Sequence, residues 1–167
     1  MSTIKKIDFK FVFLIFGISL SSSCVSLSSG NSVVGGDGYF ADPADFRGVN
    51  FKPGQPAVGV PLADALATSD DQDSLKSDFF ILEKMPPDIA LEVVGFTDSI
   101  ECSGMSCLDL SLRRAQSVHD WLISRGVPKS RLSTPRGFGS ARPVGDNETD
   151  EGRARNRRAY ISYENHP

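Results

Sequence analysis

Leu91-Glu-Val-Val-Gly-Phe-Thr-Asp98 and, after a polar loop, Leu110-Ser-Leu-Arg-Arg-Ala115 are the segments on which the reading of this chain turns. The first belongs to a short β-rich run from Ile89 to Phe96, bounded by Pro86-Pro87-Asp88 and by the surroundings of Gly95. A run of that length and composition predicts a buried strand. The second opens the clearest helix in the chain. Asp109 or Ser111 can cap it, Ala115, Val118 and Leu122 share one face, and Gly126 with Pro128 closes it. The loop from Thr97 to about Leu108 joins them. Asp98 therefore lies just past a strand end, and Arg114 is expected in the first turn of the helix.

Upstream, Val49-Asn-Phe-Lys-Pro-Gly54 reads as a short first strand stopped by Pro53-Gly54. Residues 55–70 carry no decisive pattern. Leu75, Phe79 and Leu82 fall at helical spacing, and Pro86-Pro87 ends that helix. On the far side, Leu132 to Phe138 predicts a third strand and residues 139–148 a Gly/Pro/Asn loop. Thr149 can cap a short helix through Asn156. Arg157 to Tyr163 alternates, with Ala159, Ile161 and Tyr163 on one side, as a last strand does. The order is β-α-β-α-β-β with a short helix before the end. That is an α+β sandwich, one mixed sheet covered by helices.

The 167 residues are 40% hydrophobic and 23% charged, a folded rather than a disordered composition. The formal net charge of −3 argues against a whole-chain nucleic-acid binder. The sign is uneven. From Ser103 onward there are 11 Lys/Arg against 7 Asp/Glu, whereas residues 24–101 carry 4 against 13. The C-terminal half is where a bound anion is expected.

The first 23 residues read as a targeting segment. Lys5, Lys6 and Lys10 form a positive region, and Phe11 to Leu20 is an apolar run too short for a permanent span. Ser21, Ser22 and Ser23 precede Cys24, as small residues precede the lipidated cysteine of a lipoprotein signal, although Ser21 stands where an aliphatic residue is usual. Ordinary cleavage further on is the alternative. Residues 24–45, rich in Ser, Gly and Asp, read as a tether, and residues 46–167 as the domain. Of three cysteines, Cys102 and Cys107 lie five apart and can bridge in an oxidising compartment, leaving Cys24 to carry lipid. With no His near that pair, zinc is the weaker alternative.

Together these segments resemble a known family. Gly95-Phe-Thr-Asp98, Leu110-Ser-Leu-Arg-Arg-Ala115, Gly126-Val-Pro128, Gly137-Phe-Gly139, Pro143 with Asp146-Asn147, and Glu151-Gly-Arg-Ala-Arg-Asn-Arg-Arg158 occur in the order found in OmpA-like peptidoglycan-binding domains of the peptidoglycan-associated lipoprotein type. The resemblance implies a periplasmic domain that binds the diaminopimelate residue of the stem peptide without a covalent bond or a cofactor, and so anchors the outer membrane to the wall. It implies Asp98 and Arg114 as principal ligand contacts, with Thr97, Asn156 and Arg157 lining the same site. Four departures stand out. Phe96 replaces the family histidine. Cys107 replaces an asparagine. Lys52 stands where an acid often follows Phe51. The loop between Asp98 and Arg114 is one residue longer.

The chemistry suits those residue types. Diaminopimelate presents an ammonium and a carboxylate on one carbon. A carboxylate such as Asp98 accepts from the ammonium, and an arginine such as Arg114 grips the carboxylate with its fork. The plainer alternative is that Asp98 and Arg114 simply pair with each other. Arg153, Arg155, Arg157 and Arg158 lack an aromatic platform, so nucleic acid is not expected. Trp121 reads as core edge. His119 and His166 have no nucleophile in a triad arrangement. Asp98 with Glu101 as a glycosidase pair is the remaining enzymatic reading, and no catalysis is expected. A contact surface for envelope proteins, without wall binding, is the competing function for the same fold.

Overall fold

The computed structural model describes residues 46–163. The targeting segment, Cys24, the tether and His166 lie outside the described residues. Four strands form one open sheet: β1 (Val49–Asn50), β2 (Leu91–Gly95), β3 (Arg136–Gly137) and β4 (Arg158–Tyr163), in the order β1-β4-β2-β3. The central pair is antiparallel, with Val93 opposite Ile161 and Gly95 opposite Ala159. β3 runs parallel to β2, and β1 antiparallel to β4, so the sheet is mixed. Helices α1 (Leu62–Ala65), α2 (Ser69–Lys84), α3 (Met105–Ser124) and α4 (Asp150–Asn156) complete the α+β fold.

Alternation along β2 and β4 divides the side chains between two faces. Leu91, Val93, Ala159 and Ile161 join Leu75 and Leu82 of α2 and Ala115, Val118 and Leu122 of α3 in the main core. The expected helix through Leu75, Phe79 and Leu82 is therefore present, and it starts earlier, at a Thr68–Asp71 capping box. Trp121 packs at the core margin, edge-on to Phe79 at 6.1 Å. The opposite face carries Val94, Phe96 and Tyr160, with Phe138 against them. Two inward aspartates of α2 hold the edge strand. Asp78 accepts from the amides of Arg47 and Gly48 at 2.9 and 2.8 Å, and Asp71 accepts from the amide of Asn50 at 2.8 Å. Burial pushes the Asp78 carboxyl up, against the lowering effect of those two amides.

The structure corrects two boundaries and resolves one undecided stretch. The helix expected from Asp109 or Ser111 begins at Met105, with Gly104 at φ +53° as its cap residue and no side-chain cap. The third strand is only Arg136–Gly137, with Leu132 contributing an isolated bridge to Leu91. The undecided stretch 55–70 contains α1 and the start of α2.

Candidate ligand-binding site

Two glycines bring helix and sheet together at the site. A Cβ on Gly95 would lie 2.0 Å from the Ser111 carbonyl oxygen, and one on Gly137 would lie 2.5 Å from the Leu112 nitrogen. Only glycine lets the backbone of α3 rest directly on the ends of β2 and β3. Arg114, just beyond that contact, then reaches across the end of β2, where its Nη1 donates to the Phe96 carbonyl at 2.8 Å.

The Arg114 guanidinium is wholly buried. Its Nε donates to the Gln55 carbonyl at 2.8 Å and its Nη2 to the Lys52 carbonyl at 3.4 Å, with the Phe51 ring 5.2 Å from Cζ. The remaining bonds go to Glu101: Nη1 to Oε1 at 2.6 Å and Nη2 to Oε2 at 2.8 Å. This is a bidentate fork, the strongest arrangement available to the pair. The Glu101 carboxylate also accepts from the Asp98 amide at 3.1 Å and the Gly54 amide at 2.8 Å. One carboxylate thus sits in a cradle of four donors drawn from α3, the β2 end and the loop after β1.

Asp98 pairs with a different arginine. Its Oδ2 accepts from Arg157 Nη1 at 2.8 Å, and its Oδ1 accepts from the amides of Ile100 and Glu101 at 2.8 and 2.7 Å. Arg157 is fixed in turn by donating from Nε to the Phe51 carbonyl at 3.1 Å. Burial alone would raise the Asp98 pKa. The Arg157 hydrogen bond and the two amides outweigh it and hold the carboxyl below its ordinary value. A glycosidase acid needs the opposite shift. The plain Asp98–Arg114 ion pair does not form; the acids and arginines are crossed, Asp98 with Arg157 and Glu101 with Arg114.

Thr97 is buried beside Asp98, its amide bonded to the Gly139 carbonyl at 2.9 Å. Its hydroxyl has no hydrogen-bond partner among the described residues. Asn156 is engaged elsewhere. Its Oδ1 accepts from the amides of Val144 and Gly145, and its Nδ2 donates to the Gly145 carbonyl and to Asn147 Oδ1. That same Asn147 oxygen accepts from the Ser99 amide at 3.2 Å, so Asn156 reaches the site only by bracing the loop next to Asp98. Thr97, Asp98, Arg114 and Arg157 converge; Asn156 supports them from behind.

The early start of α3 moves Arg114 out of the first turn in which the sequence placed it. Arg114 lies in the helix interior and not in its first turn, so free amides of the helix start do not flank it. Cys107 occupies that first turn and is bridged to Cys102, with the Cα atoms 5.1 Å apart. The bridge closes the loop immediately after Glu101. Closing so short a loop contributes about 2 kcal/mol in the chain-entropy account. Phe96, the residue in the histidine position, turns to the sheet face away from α3. There its ring stacks between Phe138 at 5.4 Å and Tyr160 at 5.6 Å, under the Arg158 guanidinium at 4.0 Å.

Sequence reasoning did not foresee Glu101 as the partner of Arg114, nor the Gly54 amide. The available signal was an acidic residue beside Cys102 in a lengthened loop. No group of three or more potential metal ligands occurs among the described residues.

Comparisons with known proteins bear on the family and the fold. Residues 68–157 match the OmpA family model. The peptidoglycan-binding protein ArfA of Mycobacterium tuberculosis (strain ATCC 25618 / H37Rv) is 36% identical over 114 residues, covering 64% of this chain and 34% of that protein. The probable lipoprotein YiaD of Escherichia coli (strain K12) is 43% identical over 76 residues, covering 46% of this chain and 34% of that protein. The matched region thus spans about a third of the length of these curated relatives. Among solved structures, the C-terminal domain of Helicobacter pylori MotB superposes with a TM-score of 0.57 at 27% identity, over 70% of this chain and 84% of that one. The peptidoglycan-associated lipoprotein of Burkholderia pseudomallei gives 0.51 at 25% identity, over 58% and 80%. With its motifs in order, its helix resting on glycine-ended strands, and a family match over more than half of its length, this chain belongs to the OmpA family.

Proposed function

We propose that the domain binds peptidoglycan without a covalent bond and without catalysis, by holding the diaminopimelate residue of the stem peptide at Arg114 and Asp98. The observation that carries the reading is the four-donor cradle at Arg114, beside a carboxylate held ionised by Arg157. The cradle has the shape and charge for a carboxylate. Asp98 supplies the acceptor for the adjacent ammonium, and the unpartnered Thr97 hydroxyl lies next to it in sequence. The names of ArfA and of the peptidoglycan-associated lipoprotein support the same ligand class.

The rest of the chain fits an anchor. Residues 1–23 act as an export signal, Cys24 carries lipid in the outer membrane, and residues 24–45 span from the membrane to the domain in the periplasm. Tethering raises the effective concentration at the wall, which lets a modest single-site affinity suffice. Replacing Cys24 by Ser is expected to move the protein from the membrane fraction to the soluble periplasmic fraction. Unchanged membrane association would show that the cysteine is not the anchor.

The test of the site is a pull-down with purified sacculi. Asp98→Ala is expected to weaken sedimentation by about 10- to 100-fold, the loss of one charge-assisted contact of roughly 1.5–3 kcal/mol. Arg113→Ala is the control. That side chain is half-buried and donates to the Pro56 carbonyl at 3.2 Å, outside the cradle. Circular dichroism checks that both variants fold. A folded Asp98→Ala protein that sediments like wild type would discard the site. A wild type that does not sediment at all would point to envelope proteins as the partners instead.

A further inference from the structure

The Arg114 fork already holds a carboxylate, and it belongs to this chain. Glu101 makes the contacts that an incoming stem-peptide carboxylate would need: both guanidinium Nη groups, the Asp98 amide and the Gly54 amide. Its side chain is 4% exposed and that of Arg114 0%. The five N–H groups of Arg114 are divided among three backbone carbonyls and Glu101, so no donor is left for a second anion. A ligand carboxylate and the Glu101 carboxylate cannot occupy the fork together.

Glu101 differs from the other partners of Arg114 in where it sits. The Lys52, Gln55 and Phe96 contacts are main-chain carbonyls of the framework. Glu101 is carried on the loop between β2 and α3, flanked by the exposed Ile100 and by Cys102. The loop is held on its C-terminal side by the Cys102–Cys107 bridge and on its N-terminal side by Asp98, whose Oδ1 accepts from the amides of Ile100 and Glu101. Between these anchors, the Glu101 carboxylate is held by hydrogen bonds from Arg114, Gly54 and Asp98, none of which is a rung of the sheet or of the α3 helix.

Building on the proposed ligand, we infer that Glu101 is an internal competitor: it closes the Arg114 fork in the ligand-free domain, and it must swing out for a diaminopimelate carboxylate to bind. The apparent affinity is then the intrinsic affinity reduced by the fraction of molecules in which the fork is open. The displaced carboxylate stays beside the site, close to the ligand ammonium. The device makes a lone carboxylate a poor ligand. Only a zwitterion, which engages Asp98 as well as Arg114, recovers what displacing Glu101 loses.

The test uses the full chain and the synthetic tripeptide L-alanyl-γ-D-glutamyl-meso-diaminopimelate, titrated by calorimetry and followed by stopped-flow. Glu101→Gln removes the charge and keeps the size. Glu101→Asp keeps the charge and shortens the reach. Both leave Arg114 its three carbonyl acceptors but weaken or remove a buried ion pair, so circular dichroism and urea unfolding first establish that each variant is folded under the titration conditions. Each variant is expected to bind the tripeptide at least tenfold more tightly than wild type, with most of the gain in the association rate. Each is also expected to bind acetate, and wild type is expected not to. Folded variants with wild-type affinity, or weaker, would overturn the competitor role. Asp98→Ala separates the two ideas. If it abolishes tripeptide binding while the Glu101 variants match wild type, the ligand site stands and the competitor does not. If neither wild type nor any Glu101 variant binds the tripeptide at millimolar concentration, the proposed ligand itself is wrong.

Discussion

Arg114→Ala is expected to cost about 3–5 kcal/mol of stability, the usual loss when one partner of a buried ion pair is removed. The reason is what it leaves behind. Glu101 loses both of its guanidinium bonds, the carbonyls of Gln55, Phe96 and Lys52 lose a donor, and the Phe51 ring loses its cation. Domain stabilities of about 5–15 kcal/mol make such a loss a large share of the total. Arg114→Lys restores the charge but not the fork, and it is expected to recover little. Adding Glu101→Ala to Arg114→Ala should recover part of the loss, because the stranded carboxylate is then gone as well. Urea unfolding of the three variants measures this. A loss below about 1 kcal/mol for Arg114→Ala, the range of exposed pairs, would show that the buried network does not hold this end of the fold.

Phe96→Ala should rival it in stability and differ from it in function. The ring is 1% exposed and lies between two aromatic neighbours, so its removal leaves a cavity that the sheet cannot close. Such substitutions cost about 3–5 kcal/mol, with roughly 0.5–1.5 kcal/mol in each aromatic pair included. The expected observation is a lower urea midpoint with an unchanged slope. Since the ring faces away from α3, the folded fraction of Phe96→Ala should sediment with sacculi within a few-fold of wild type. Binding lost in step with Asp98→Ala would place the ring in the site after all. Phe96→His, which keeps a ring, should be less damaging than Ala.

Much of the fold was legible because it rests on local patterns. Apolar alternation in Arg158–Tyr163, the β-rich run of Leu91–Gly95 and the helical spacing of Ala115, Val118 and Leu122 each follow from one period and its punctuation. Boundaries were less legible. α3 starts at Met105 because Gly104 takes a positive φ and Cys107 is bridged back to Cys102, neither of which a capping preference can express. β3 is only two residues long because its continuous pairing with β2 covers Val94 and Gly95 alone, and Leu132 meets Leu91 in an isolated bridge.

The site divides along the same line. From the sequence alone came a strand-end acid and a helix arginine on neighbouring elements, and the pairing of Cys102 with Cys107. Which acid meets which arginine follows from packing. Two acids and two arginines lie within reach of one another, and residue types alone allow either pairing. The choice of Arg157 for Asp98 and Glu101 for Arg114 depends on where α4 ends and where α3 begins, and on backbone amides of Gly54, Asp98, Ile100 and Glu101 that point at particular oxygens. Hydrogen-bond direction and burial select one arrangement among chemically equivalent ones, and both are properties of the packed backbone rather than of the residue order.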